Sequence, residues 1–332
     1  YWWHKEAQQG LAAVKKQHRS MPRLSESSMM VQDWSNAMEI KDLQKIIQDS
    51  GVVGAGGAGF PTYAKLTDKA DTILMNCAEC EPLLKLHRQL LEKHAYEIMK
   101  TFHMVMETVG ASQAIIGIKK SYVQTIKALQ QHIEEFPGLK IHLLDEVYPM
   151  GDEVVLIYEA TGRVCRPGGL PIEQGVIVFN VETIYNVYQA VTSQKPVTEK
   201  YVSVVAEVGH PVTVKVPLGC TLDEVVAQAG DITTKDPVYF VGGPMMGRIG
   251  NGSDPVTKTT NAVLVLPHDH QIVMKKRRTS AIDLKRAASI CCQCNTCTDL
   301  CPRHNLGHPI DPARFMRAAS AGDFRDVNPY IN

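Results

Sequence analysis

Thr72-Ile73-Leu74-Met75-Asn76-Cys77-Ala78-Glu79-Cys80-Glu81-Pro82 reads as a short apolar strand that runs straight into a cluster of amide and carboxylate side chains. A strand with no polar alternation is covered on both faces, as in a parallel sheet flanked by helices. The chain around it keeps that rhythm. Upstream, Ile40, Leu43, Ile46 and Ile47 recur at helical spacing just after Met38. Downstream come a helix over 89–109, the strand Ala114-Ile115-Ile116-Gly117-Ile118, a helix over 121–135 and the strand Lys140-Ile141-His142-Leu143-Leu144. The alternation predicts an α/β domain over 38–200 with a largely parallel sheet. Ligands of such sheets lie beyond the carboxyl ends of the strands. Three strand ends carry suitable groups: Asn76, Glu79 and Glu81 after the first; Tyr148, Gly151, Asp152 and Glu153 after the strand near 141–144; Asn180 and Thr183 after Gly175–Phe179. Any one of these acids alone reads as solvated surface. Their recurrence at strand ends points instead to a bound cofactor.

Gly54-Ala55-Gly56-Gly57-Ala58-Gly59-Phe60-Pro61 satisfies G-x-G-x-x-G literally. An ordinary dinucleotide fold would place a strand before this loop and an acid about 20 residues further on, at the end of the second strand. Only Val52-Val53 precedes it, and Asp71 comes before the next strand. The nicotinamide fingerprint is therefore poor, but its physical content survives. Side chains no larger than a methyl group let backbone N–H groups approach a phosphate. A tight turn without a ligand is the alternative.

Near the C-terminal end, Cys291-x-x-Cys294-x-x-Cys297-x-x-x-Cys301-Pro302 has the spacing of a bacterial 4Fe-4S ferredoxin run, in which short gaps let thiolates converge on one cluster. Zinc is the competing metal for C-x-x-C pairs, but its structural sites need a second pair, and none follows Cys301. Cys292 is out of step and reads as packing; Cys77, Cys80, Cys165 and Cys220 read as core or loop thiols.

Composition narrows the class further. With 35 basic and 35 acidic residues, the chain has no net charge to draw it to nucleic acid or an anionic membrane. No apolar run approaches the roughly 18 residues of a membrane span, and no signal-peptide pattern opens the chain. Thiols clustered at ligand spacing then point to a reducing, cytoplasmic setting. Residues 1–37, beginning Tyr1-Trp2-Trp3, read as an N-terminal extension of unassigned role, with Met38 as the expected natural start. Over 201–247 a strand pair, one helix and a further strand predict a small β-grasp module. Residues 248–282, opening with a Gly/Asn/Ser/Thr-rich stretch and ending near Lys275-Lys276-Arg277-Arg278, read as a linker with a solvated basic run. Residues 283–332 form the iron–sulfur segment.

Taken in order, these motifs resemble the flavin-binding subunit family of respiratory complex I, together with the RnfC proteins of Rnf complexes and the cobalamin reductases of propanediol-utilisation microcompartments. The resemblance spans about 40–330. It implies a Rossmann-type flavin domain, a β-grasp (SLBB-like) module and a ferredoxin-like helical iron–sulfur domain. It implies that Gly54, Gly56, Gly57, Gly59, Phe60 and Lys65 cradle FMN, and that Asn76, Glu79, Glu81, Tyr148, Gly151, Asp152, Glu153, Asn180 and Thr183 surround flavin and NAD(P)H. Ala78, Asp152 and Phe179 depart from the complex I pattern toward the Rnf and cobalamin-reductase branch, and Cys297–Pro309 looks most like the latter. In this family the fourth cysteine of each motif serves the other of two clusters, which implies a second cysteine quartet beyond Asn332 and a sequence incomplete at its C-terminus. The implied function is transfer of electrons from NAD(P)H through FMN to one or two 4Fe-4S clusters at Cys291, Cys294, Cys297 and Cys301. The implied acceptor is a corrinoid on a partner enzyme or adenosyltransferase. Microcompartment shell proteins are the further implied partners, with a location inside such a compartment. A peripheral electron-transfer component of a membrane redox complex is the alternative function.

Overall fold

In a computed structural model, residues 38–323 and 325 are described; the extension expected over 1–37 lies outside the described residues, as does the end of the iron–sulfur segment. Helix α1 (Ile40–Asp49) buries Leu43 and Ile47, and leads into the glycine loop. Strands β1 (Thr72–Asn76), β2 (Gln113–Lys119), β3 (Leu139–Leu144) and β4 (Val176–Asn180) form one parallel sheet in the order β3-β2-β1-β4. Helices α2 (Leu86–Val109), α3 (Val123–Gln130), α4 (Glu153–Thr161) and α5 (Val181–Ser193) follow the four strands in turn. Ile73, Leu74 and Met75 are fully buried, which is why β1 shows no polar alternation; each such side chain contributes about 1.5–3 kcal/mol of transfer free energy.

The chain adds β2 and β3 on one side of β1, then crosses to place β4 on the other. Such a reversal opens a crevice at the carboxyl ends of the two strands on either side of it. Asn76 and Asn180 are register partners at those ends.

The second sheet has the order β6-β5-β9-β7-β8, built from β5 (Glu199–Ala206), β6 (Val212–Pro217), β7 (Pro237–Val241), β8 (Arg248–Gly250) and β9 (Ala262–Pro267). Helix α6 (Leu222–Val226) is closed by a capping box between Thr221 and Glu224. The expected linker is corrected here. Residues 248–282 contain β8, β9 and α7 (Gln271–Arg277), and β9 is the middle strand, parallel to β5 and antiparallel to β7. The polar stretch expected as a loop over 247–260 holds β8 at its start and is loop only after Gly250, and Ala262–Leu266 is a run of five apolar residues that buries on both faces. The module expected to end at 247 therefore continues to Pro267.

The cysteine segment is helical and thinly packed. Helix α8 (Ser280–Ile290) buries none of its residues; α9 (Thr296–Asp299), α10 (Pro302–Asn305) and α11 (Pro312–Ser320) follow. No helix among the described residues is long and apolar enough to cross a membrane.

Candidate functional site

The crevice at the β1/β4 reversal is a cavity of about 580 Å³ lined from the glycine loop, all three predicted strand ends and the second sheet. That volume lies in the range of small-molecule and cofactor sites. Its first wall is the loop itself. The Gly54 N–H donates to the Phe60 carbonyl at 2.8 Å and the Gly59 N–H to the Gly54 carbonyl at 3.1 Å, closing the loop on itself. Gly57 (φ 117°) and Gly59 (φ 65°) hold left-handed backbone that a side chain would strain. The Ala55 N–H donates to the Thr183 hydroxyl at 3.0 Å, which ties the loop to α5. Among the described residues, the N–H groups of Gly56, Gly57 and Ala58 find no acceptor within the protein. Uncommitted N–H groups on consecutive small residues are what an anionic group such as phosphate requires. Lys65 brings a cation to the same wall: its Nζ donates to the Val178 carbonyl at 2.9 Å, lies 5.6 Å from the Phe60 ring centre and 3.9 Å from Glu153.

The strand ends make the opposite wall. Asn76 donates to the Gly151 carbonyl at 2.9 Å and accepts from the Ala78 N–H at 3.1 Å. Gly151 sits so close to this turn that a Cβ would meet the Ala78 carbonyl at 2.4 Å and the Cys80 sulfur at 2.9 Å. Asn180 caps α5 by accepting from the Glu182 N–H at 3.0 Å and donates to His87 Nε2 at 3.0 Å. Burial pushes the His87 imidazole down, consistent with a neutral ring whose Nε2 accepts. Burial also pushes the Glu153 carboxyl up, against the opposing pull of Lys65. Tyr148, Phe60 and Met246 stand exposed at the mouth.

Two of the predicted acids line the cavity yet have other duties. Glu79 accepts from the His87 N–H and from Arg88 Nε, each at 3.0 Å, so it holds the start of α2. Glu81 accepts from the Met245 and Met246 N–H groups, both at 2.9 Å, and so fastens the turn after β7 to the cavity rim. Besides lining the cavity, these carboxylates have a positioning role, since each of their four oxygens accepts from a protein donor. Asp152 has a double role as well. One oxygen caps α4 by accepting from Val154 and Val155 N–H groups; the other accepts from Arg303 at 2.7 Å.

Arg303 lies two residues after Cys301, so this ion pair docks the cysteine segment against the cavity wall. A second dock is buried: His308 Nε2 meets the Cys165 carbonyl at 2.8 Å. Cys291, Cys294 and Cys297 are exposed and Cys301 is half-buried. Among the described residues no group of three or more His, Cys, Asp or Glu converges at metal-holding distance, so the structure keeps these four as separate thiols. Their donor chemistry and backbone suit a cluster nonetheless. Gln293 (φ 57°) and Asn295 (φ 65°) turn the chain between the thiols, and hydrogen bonding from Thr296 holds the Cys294 thiol below its ordinary range, toward the thiolate that binds metal.

Sequence reading missed Cys80, His87, Met246 and Asn261, all on the cavity wall. It also missed the ion pair of Lys200 with Glu182, both 1% exposed, in which Lys200 Nζ further donates to Asn261 Oδ1 at 2.7 Å. A lysine inside an otherwise alternating strand was the available signal.

The Nuo51 FMN-binding domain of complex I matches residues 47–189, and a 4Fe-4S dicluster domain matches residues 290–330. Cobalamin reductase PduS of Citrobacter freundii is 42% identical over 287 residues, covering 86% of this chain and 63% of the relative. The RnfC-type component of the Na(+)-translocating ferredoxin:NAD(+) oxidoreductase complex of Acetobacterium woodii is 30% identical over 286 residues, covering 84% and 61%. The chain thus spans just under two thirds of the length of these relatives. In fold it is similar to a chain of an NAD+-reducing [NiFe]-hydrogenase, with a TM-score of 0.62 at 22% identity, covering 86% of this chain and 55% of that one. FMN and 4Fe-4S clusters are therefore its cofactors. The chain belongs to the RnfC and complex I flavin-subunit family, with cobalamin reductase PduS among its relatives.

Proposed function

We propose that the chain takes electrons from NAD(P)H and delivers them, through FMN in the 580 Å³ cavity and an iron–sulfur centre at Cys291, Cys294, Cys297 and Cys301, to a corrinoid acceptor. The observation that carries this reading is the Asp152 carboxylate, which forms part of the cavity wall and at the same time grips Arg303 beside the last cysteine. Bound FMN supplies the exchange between a two-electron hydride and single electrons. The protein supplies position. The N–H groups of Gly56, Gly57 and Ala58 hold the phosphate, Lys65 offsets its charge, and Asn76, Asn180 and Thr183 fix the surrounding backbone. Tyr148 and Phe60 at the mouth offer flat surfaces to the nicotinamide nucleotide. The acceptor corrinoid sits on a partner enzyme or adenosyltransferase, within a microcompartment whose shell proteins are further partners.

Purified protein should be yellow-brown, release FMN on denaturation and reduce an artificial acceptor when given NADH. Folded protein that takes up no flavin would sink the proposal. The 30% identity to a component of an ion-translocating complex supports a second reading, a peripheral electron carrier with little reductase activity of its own. Co-sedimentation with membranes that survives high salt would favour it.

A further inference from the structure

The underside of the glycine loop is built by residues far from the FMN-domain match at 47–189. Three neighbours in the stretch before β9 converge there. Lys258 Nζ donates to the Gly51 carbonyl. A Cβ on Gly59 would lie 3.2 Å from the Thr259 methyl. Asn261 lines the cavity itself. The Asn261 amide is oriented by charge: Lys200 can only donate, so the atom 2.7 Å from its Nζ is the carbonyl oxygen Oδ1. Lys200 is in turn fixed by Glu182, in a pair that solvent does not reach. Among the described residues the Asn261 Nδ2 has no protein acceptor, so a directed N–H donor is left on the cavity wall.

The Nδ2 atom is not sealed from solvent, so an acceptor atom of a ligand in the cavity can take the place of water there. An ion pair buried this completely carries a desolvation cost and holds the Lys200 ammonium in one place against Asn261. We infer that Asn261 is a flavin-binding residue, donating from Nδ2 to an acceptor atom of FMN, and that Lys200 is the positioning residue that aims it. The second sheet is then a co-builder of the flavin site rather than a neighbouring module. This rests on the reading of the cavity as the flavin site.

The test uses the full chain stripped of flavin and titrated with FMN, followed by flavin fluorescence, with the melting temperature of each apoprotein recorded. Asn261→Ala should weaken FMN about tenfold, the loss of one ligand hydrogen bond that leaves a polar acceptor unpaired. Asn261→Asp keeps an acceptor for Lys200 but removes the donor. It should weaken FMN at least as much with no fall in apoprotein melting temperature, which separates ligand binding from packing. Lys65→Ala is the control for the cavity. Asn261 variants that hold FMN like the parent chain while Lys65→Ala weakens it overturn the inference alone. If none of the three weakens FMN, the flavin reading of the cavity falls as well.

Discussion

Around the cavity, partners are distant in sequence: Ala55 bonds Thr183, Asn76 bonds Gly151, Glu81 bonds Met245 and Met246, and Lys200 bonds Asn261. Around the cysteines, partners are near neighbours: Cys294 with Thr296, Asn295 with Asp299, Thr298 with Asp311. The cavity is thus shaped by the tertiary fold before any ligand arrives. The cysteine segment has little buried surface, and a bound cluster has to supply much of its order, since metal-binding free energy is folding free energy where no preformed site exists. Among the described residues, the Arg303 and His308 side chains hydrogen-bond from the second region to the first, and Leu306 packs on the core there.

The largest expected effect separates the two regions outright. Cys294→Ala should abolish the cluster's visible absorbance while the protein keeps its FMN; unchanged absorbance would refute the ligand assignment. Next in size is the removal of a cavity-side charge. Lys200→Met strands the Glu182 carboxylate in the interior, which typically costs about 3–5 kcal/mol, read by urea denaturation, whereas Lys200→Met with Glu182→Leu should recover most of that loss. A smaller effect belongs to the joint between the regions. Arg303→Ala removes a half-exposed pair and should cost under about 1 kcal/mol of stability, yet slow the appearance of reduced cluster after NADH mixing in stopped flow. Equal rates would show that His308 alone maintains the docking.

The smallest effect is one of sign. Burial raises Glu153, so the folded chain binds its proton more tightly than the unfolded chain does, and this group's contribution to stability declines as pH rises through and above the ordinary glutamate range. Asp311 is lowered by the Arg314 N–H and the Thr298 hydroxyl, so its contribution is present above the ordinary aspartate value and is lost as pH falls through its depressed one. Glu153→Gln and Asp311→Asn should therefore tilt the stability-versus-pH curve in opposite directions at its acid end. Parallel shifts would remove the distinction between the two regions at the level of single carboxyls.

Much of the cavity was legible because its motifs are local: a run of small residues, and polar clusters directly after apolar strands. Asn76, Gly151, Asn180 and Thr183, read from the sequence as following the ends of apolar strands, all line the cavity. The duties of Glu79 and Glu81 were not legible, since a carboxylate in a sequence gives no sign that backbone N–H groups from another element will occupy it. Strand β9 was hidden for a different reason. Its apolar run is short, and a polar stretch of fourteen residues, 247–260, precedes it. Lys200 shares a strand face with the buried Val202 and Val204, so alternation marks it as an inward charge, but nothing near it in the sequence names Glu182 as the partner that neutralises it.

The place of β9 in the second sheet bears on how the protein is made. It is the middle strand but the last one synthesised, about sixty residues after the end of β5. At 5–20 residues per second, translation leaves roughly 3–12 s during which β5 and β6 exist without the strand that joins them to β7. Throughout that interval the nascent glycine loop lacks Lys258 and Thr259 beneath it. The wall that Lys258 and Thr259 give the loop is therefore complete only once Pro267 has cleared the exit tunnel, however early the parallel sheet itself has folded.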